Sequence, residues 1–254
     1  MGNIRLTIAY DGSAYAGWQR QPNRPTVQAL IEDALTQRLL GEPVVLHGAG
    51  RTDAGVHAEG MVASFVSPRE LPLEAYRRGL NSMLPPDIRI LAADKVAHDF
   101  HARFSAKGKV YCYRFSTAAI MSPCRRLYRA HLPGPFDADL VREVIPQLLG
   151  EHDFSAFEAA GSRDRSREGG RGGVRSLEML RLEQEDRWGR EFFFELAGDG
   201  FLRHMVRNIV GTLVALGRGR RRIAAPAALL AGGDRSQAGP TAPACGLTLV
   251  RVLY

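Results

Sequence analysis

Polar and apolar residues alternate along Asn3–Tyr10 (NIRLTIAY), which predicts a β-strand ended by Asp11-Gly12-Ser13. From Val27 to Leu40 the period lengthens. Val27, Leu30, Ile31, Ala34, Leu35 and Leu39 recur at helical spacing, with Thr26 as N-cap and Gly41 as a left-handed stop. Short strands are expected at Pro43–His47 and Glu59–Val66, a helix at Leu73–Asn81 and a strand at Ile88–Ala92. The rhythm then restarts. Lys109–Ser116 (KVYCYRFS) reads as a strand, and Ala138–Leu149 as a helix capped by Asp137, bent by Pro146 and stopped by Gly150. Leu177–Gln184 and Glu191–Ala197 read as strands joined through Asp186-Arg187-Trp188-Gly189. Phe201–Leu216 reads as a helix closed by Gly217, with Met205, Ile209 and Leu213 on one stripe. Pro226–Leu230 adds a short helix and Leu247–Leu253 a last strand. The pattern predicts an α+β fold of two similar halves, residues 1–104 and 105–254, each a mainly antiparallel sheet with helices on one face. A basic cleft is expected between them, a common place for a site.

Length and composition agree with a folded chain of this kind. The 254 residues are 45% hydrophobic and 24% charged, which excludes a mainly disordered chain, a collagen-like repeat and a small disulfide scaffold. Charges interrupt every apolar run before about 18 residues, so no transmembrane helix is expected. The N-terminus lacks the apolar stretch of a signal peptide, and Leu6 stands where a myristoylation motif needs Ser or Thr. A cytoplasmic location follows as the expectation. Cys112, Cys124 and Cys245 form no CxxC pair and fit reduced thiols.

Charge adds the first hint of a partner. Lys and Arg number 34 against 27 acids, a net +7, and only Lys95, Lys107 and Lys109 are lysines. Arginine presents a planar fork that matches phosphate and stacks on bases. Phe201–Arg222 holds six Arg and no acid; Gly161–Arg175 holds five Arg against Asp164 and Glu168. Such runs suit a polyanion, nucleic acid first, although a solvated face is the plain alternative. The loop 159–175 is nearly devoid of large apolar residues and reads as an Arg-rich segment ordered by a polyanion.

Candidate chemistry concentrates in Gly48–Gly60 (GAGRTDAGVHAEG), a glycine-rich loop between two strands that carries Arg51 and Asp53. A carboxylate on such a loop can serve as base or nucleophile, and a nearby Arg would keep it ionised. Three other readings stand beside this one: a structural Asp-Ala-Gly turn, a dinucleotide loop and a metal site. The dinucleotide reading fails the strand-to-helix requirement, because a strand follows and Asp53 occupies the third glycine position. The metal reading would use His47, Asp53 and His57, which lack ligand spacing.

At this point the chain resembles a known family. GRTDAGVHA (Gly50–Ala58) is similar to the catalytic motif of the TruA family of tRNA pseudouridine synthases. YDGSAYAGWQRQ (Tyr10–Gln21), DFHARFSA (Asp99–Ala106) followed by Tyr111, FLRHMVRNIVGTL (Phe201–Leu213) and TAPACGLTLV (Thr241–Val250) resemble further family blocks in the family's order. The resemblance implies isomerisation of uridine to pseudouridine at positions 38, 39 and 40 of the tRNA anticodon stem-loop. The C1′–N1 bond breaks, the base turns, and C1′ joins C5, so no cofactor and no metal is implied. Asp53 matches the catalytic aspartate, Arg207 the arginine paired with it, Tyr111 the active-site tyrosine and Arg51 the arginine that helps displace the target base. The pattern KVYCYRFS alone leaves Tyr111 and Tyr113 equivalent; the resemblance selects Tyr111. Arg20, Arg103, Arg163, Arg165 and Arg167 are expected RNA contacts. The family also implies a homodimer that binds the anticodon arm of one tRNA across both subunits, with no membrane association.

Overall fold

The computed structural model describes residues 2–159, 171–220 and 223–254. The fold is mixed α/β, dominated by strands. The chain divides into two compact units, Met1–Lys107 with Thr248–Tyr254, and Gly108–Leu247. The closing strand therefore groups with the first unit, and the second is a single segment.

In the first unit, β1 (Gly2–Tyr10) lies between β3 (His57–Ser67) and β4 (Ile88–Val96), antiparallel to both. The alternation that predicts β1 is that of a strand with one face in the core: Leu6, Ile8 and Tyr10 are buried. Strand β10 (Leu247–Leu253) joins the other side of β3 in parallel, with Thr248 opposite His57. Helix α1 (Val27–Asp33) continues through Ala34–Leu40 in wider, π-type turns, and Gly41 ends it with φ +74°. Of the predicted stripe, Val27, Ile31, Ala34 and Leu35 are buried, while Leu30 and Leu39 are only partly covered and Leu40 is the buried residue at the C-terminal end, where the wider turns shift the phase. A second helical stretch runs Ala75–Gly79 and then α2 (Leu80–Met83).

The strand expected at Pro43–His47 shrinks to β2 (His47–Gly48), paired with β3. The reason is local. Pro43 has no N–H, and the next amides are taken by helix side chains: Val44 N–H donates to Thr36 Oγ1 (3.2 Å) and Leu46 N–H to Glu32 Oε1 (3.0 Å). Gln28 Nε2 donates to the Leu46 carbonyl in turn (3.0 Å). The segment is fastened to α1 instead of to a neighbouring strand.

In the second unit, β5 (Gly108–Ser116), β9 (Glu191–Gly198), β8 (Val174–Gln184) and β7 (Gly150–Asp153) pair antiparallel in that order, and β6 (Ala130–His131) adds to β5 in parallel. The expected helix 138–149 is α3 (Ala138–Val144) followed by a tighter turn, Ile145–Leu148. Pro146 cannot donate to the helix ladder, which accounts for the change. Asp137 caps α3 by accepting from Leu140 N–H (2.9 Å). Gly150, at φ +95°, turns the chain into β7, a strand too short and polar to read from pattern. Helix α5 (Pro226–Leu230) falls where the sequence puts it.

Helix α4 (Met205–Gly217) starts four residues later than the apolar run suggests. His204 adopts φ +62°, ψ 0°, a conformation incompatible with a continuous helix from Phe201. Its carbonyl accepts the first helical bond, from Asn208 N–H (2.9 Å). The helix is nearly all buried, and Asn208 is the polar hub inside it. Its Nδ2 donates to the Phe157 carbonyl (2.7 Å), and its Oδ1 accepts from Arg235 Nη2 (3.0 Å) and Thr241 Oγ1 (2.7 Å).

Candidate active site

Asp53 sits on a tight turn. Val56 N–H donates to the Asp53 carbonyl (3.2 Å), and Gly55 takes φ +77°, the type II pattern that requires glycine at the third position. The structural reading of Asp-Ala-Gly as a turn is therefore right about the backbone, and it leaves the carboxylate to be explained. Asp53 is half-buried, Thr52 beside it is buried, and Arg51 is exposed.

The turn rests on the segment that follows β1. Tyr10 Oη and Thr52 Oγ1 lie 2.8 Å apart in the interior. Trp18 N–H donates to the Thr52 carbonyl (3.1 Å), and Gly55 N–H to the Tyr15 carbonyl (3.4 Å). Gly12 N–H donates to His57 Nδ1 (3.1 Å), and Tyr15 Oη donates to Asp87 Oδ1 (2.5 Å). Burial and then the Asp87 contact raise the Tyr15 pKa, so its hydroxyl stays protonated. The buried Trp18 indole packs so closely on Gly48 that a Cβ there would lie 2.4 Å from Nε1. Two blocks separated in sequence by some thirty residues thus form one rigid seat, and the carboxylate is placed by backbone contacts on both sides of it. The sequence reading gave Tyr10, Gly12, Gly17 and Trp18 no role of their own. The usable signal was the pair of glycines in DGSAYAGW, each at a point of backbone contact.

A Tyr10→Phe variant tests this seat. It deprives the buried Thr52 hydroxyl of its Tyr10 partner and is expected to lower stability by about 1–3 kcal/mol. Urea unfolding reads the loss; an unchanged midpoint would mean that the contact does not hold the loop.

The second unit carries Tyr111 and Arg207. Tyr111, on β5, is buried and meets Phe201 edge-on at 5.1 Å. Tyr113, two residues on, is wholly buried, and its hydroxyl donates to the Pro243 carbonyl (2.9 Å). Burial raises its pKa. Both tyrosines that the pattern left equivalent are buried, Tyr113 completely so and with its hydroxyl committed to the Pro243 carbonyl. Arg207, on α4, is half-buried; its Nε donates to the Ala242 carbonyl (2.7 Å), while Ala242 N–H donates to the Arg207 carbonyl (3.1 Å). This double contact fixes the TAPAC segment against the helix.

The remaining arginines differ in their surroundings. Arg20 is bound to α1, with Nε on Glu32 and Nη2 on Asp33, each at 2.7 Å. Hydrogen bonds to Asp33 and then Glu32 raise its pKa. Arg103 is exposed, with Cζ 5.8 Å from the Phe104 ring centroid. Arg163, Arg165 and Arg167 lie outside the described residues. Among the described residues no helix is long and apolar enough to cross a membrane.

Comparison with known proteins agrees with the motifs. A family model described as tRNA pseudouridine synthase matches residues 6–105 and 144–254. A protein of Desulfotalea psychrophila named tRNA pseudouridine synthase A 1 is 48% identical over 256 residues, covering the whole of both chains. Proteins named tRNA pseudouridine synthase A from Myxococcus xanthus and Syntrophotalea carbinolica are 46% and 44% identical over the whole of this chain, which covers 92% and 97% of theirs. This chain belongs to the tRNA pseudouridine synthase family, a family of isomerases.

Proposed function

We propose that the chain converts uridine to pseudouridine at positions 38, 39 and 40 in the anticodon stem-loop of tRNA, with Asp53 as the catalytic carboxylate and no cofactor. The observation that carries this reading is the placement of Asp53. It is a half-buried carboxylate on a glycine turn, clamped through Thr52 to Tyr10 and Trp18, in a chain whose relatives match it end to end. A group that must reach a sugar carbon needs this fixity more than it needs strength as a base. Arg51 would occupy or prop the space left by the displaced base, Tyr111 would stack on the extruded uracil, and Arg207 would hold the carboxylate ionised.

Arg103, Arg163, Arg165 and Arg167 are proposed as phosphate contacts. Arg20 is proposed as a lesser one, because with Glu32 and Asp33 it forms a trio of net charge −1 that must open before it can hold phosphate. The homodimer and the cytoplasmic location belong to the same proposal.

The position of the product tests it. A tRNA transcript with uridine at 38–40 should gain pseudouridine there, and a transcript with cytidine at those positions should gain none. Product elsewhere in the cytidine transcript would assign another target. Binding should also weaken by at least about tenfold between 50 and 200 mM salt, since several phosphate contacts release counterions. A flat salt response would remove the arginines from the RNA interface.

A further inference from the structure

Phe104 is 77% exposed, yet its ring is not isolated. The His101 ring lies 4.4 Å from it at 38°, and the His47 ring lies 5.0 Å from His101 at 36°. Arg103 places its guanidinium carbon 5.8 Å from the Phe104 centroid. Three tilted rings and a cation therefore line one surface of the first unit.

The surface is held from below. Ser105 N–H donates to the His101 carbonyl (2.9 Å), and His101 N–H donates to Ser105 Oγ (3.1 Å), closing a small ring of backbone. Arg103 N–H donates to His101 Nδ1 (3.1 Å), fixing the imidazole. Ala102 N–H donates to Ser64 Oγ on β3 (3.0 Å), and Tyr254 Oη donates to the Ala102 carbonyl (2.7 Å). Asn3 Nδ2 donates to the Phe100 carbonyl (2.7 Å). An exposed phenyl ring costs free energy in water, and here six hydrogen bonds hold the segment that carries it in place.

We infer that Phe104, backed by His101 and His47 and flanked by Arg103, is a stacking platform for an unpaired base of the RNA other than the target uridine. This rests on the reading of the chain as an enzyme of the anticodon arm. Unpaired loop bases are the part of an RNA that proteins stack on aromatic, imidazole and guanidinium planes. Charge favours RNA over a protein partner: Phe100–Lys107 contains Arg103 and Lys107 and no acid. His47 precedes Asp53 by six residues, so its backbone lies within about 20 Å of that of Asp53, and Phe104 follows two ring contacts further on, a span that one stem-loop can bridge.

The test uses the full-length protein and a fluorescein-labelled anticodon stem-loop RNA, with abasic sites placed one at a time around the loop. Phe104→Ala and Phe104→Leu should bind the intact RNA about 5- to 150-fold more weakly, and Phe104→Tyr should bind it like the wild type. One abasic position should weaken the wild type by a similar factor and leave Phe104→Ala indifferent. Additive losses at every position, or equal binding by Phe104→Ala and wild type, would overturn the platform. Should Phe104→Ala instead sediment as a smaller species with its RNA coupling unchanged, Phe104 would be an interface between copies of the chain. Wild type that neither binds nor modifies the RNA would refute the underlying functional reading.

Discussion

Asp53→Asn is expected to yield a protein that folds and holds RNA but forms no measurable pseudouridine. The substitution keeps size and removes only the charge. The turn is kept by backbone groups, through Val56 N–H on the Asp53 carbonyl, Gly55 N–H on Tyr15 and Trp18 N–H on Thr52, none of which involves the carboxylate. The fold should therefore survive, with a stability loss of no more than about 1–3 kcal/mol for the contacts of the charge itself. RNA affinity should stay within about twofold, because phosphate contacts dominate binding. Turnover should fall by at least about 10²–10⁴-fold, the contribution of a positioned acid–base group, and further if the carboxylate attacks the sugar. Single-turnover kinetics with saturating enzyme separate this from weakened binding. Turnover within tenfold of wild type would remove Asp53 from the mechanism.

Gly17→Ala is the second large effect. Gly17 takes φ +98°, and a Cβ there would lie 2.5 Å from the Thr52 carbonyl oxygen and 3.1 Å from the Asp53 carbonyl carbon. Strain and overpacking together should cost about 2–5 kcal/mol. The collision is relieved most cheaply by moving the turn, and a displacement near 1 Å at a catalytic group costs about 10²-fold in rate. Gly134→Ala separates the two contributions: Gly134 has φ +117° and nothing within 4 Å of the added carbon. It should lose the strain alone and keep full kcat. Equal activity in the two variants would mean that the Tyr10–Trp18 segment does not position Asp53.

These expectations also mark what the sequence made legible. Where one face of an element is buried and the other wet, the pattern was sufficient: β1, β5, β9, the α1 stripe and β10 stand where alternation or helical spacing puts them. It failed where side chains competed for the backbone, as Glu32 and Thr36 do for Leu46 and Val44. It failed again where a single residue took a left-handed conformation, as His204 does ahead of α4. Asp53 was legible because a carboxylate set between the glycines of a loop is a candidate base or nucleophile, and because its motif resembles a family motif. The seat beneath it was not, since Tyr10–Thr52 and Trp18–Gly48 are contacts between distant segments that no local period encodes. Tyr113 shows the same limit: only packing tells a core tyrosine from its neighbour two positions away.

The most direct test of the central claim follows one hydrogen atom. Joining C1′ to C5 of uracil must expel the hydrogen on C5. A tRNA transcript made with uridine tritiated at C5 should therefore release tritium into water in proportion to the pseudouridine formed. The protein should do this in chelator-treated buffer with no added cofactor, and Asp53→Asn should not. Tight binding of the transcript by wild type without tritium release would contradict the account, as would release by Asp53→Asn at the wild-type rate.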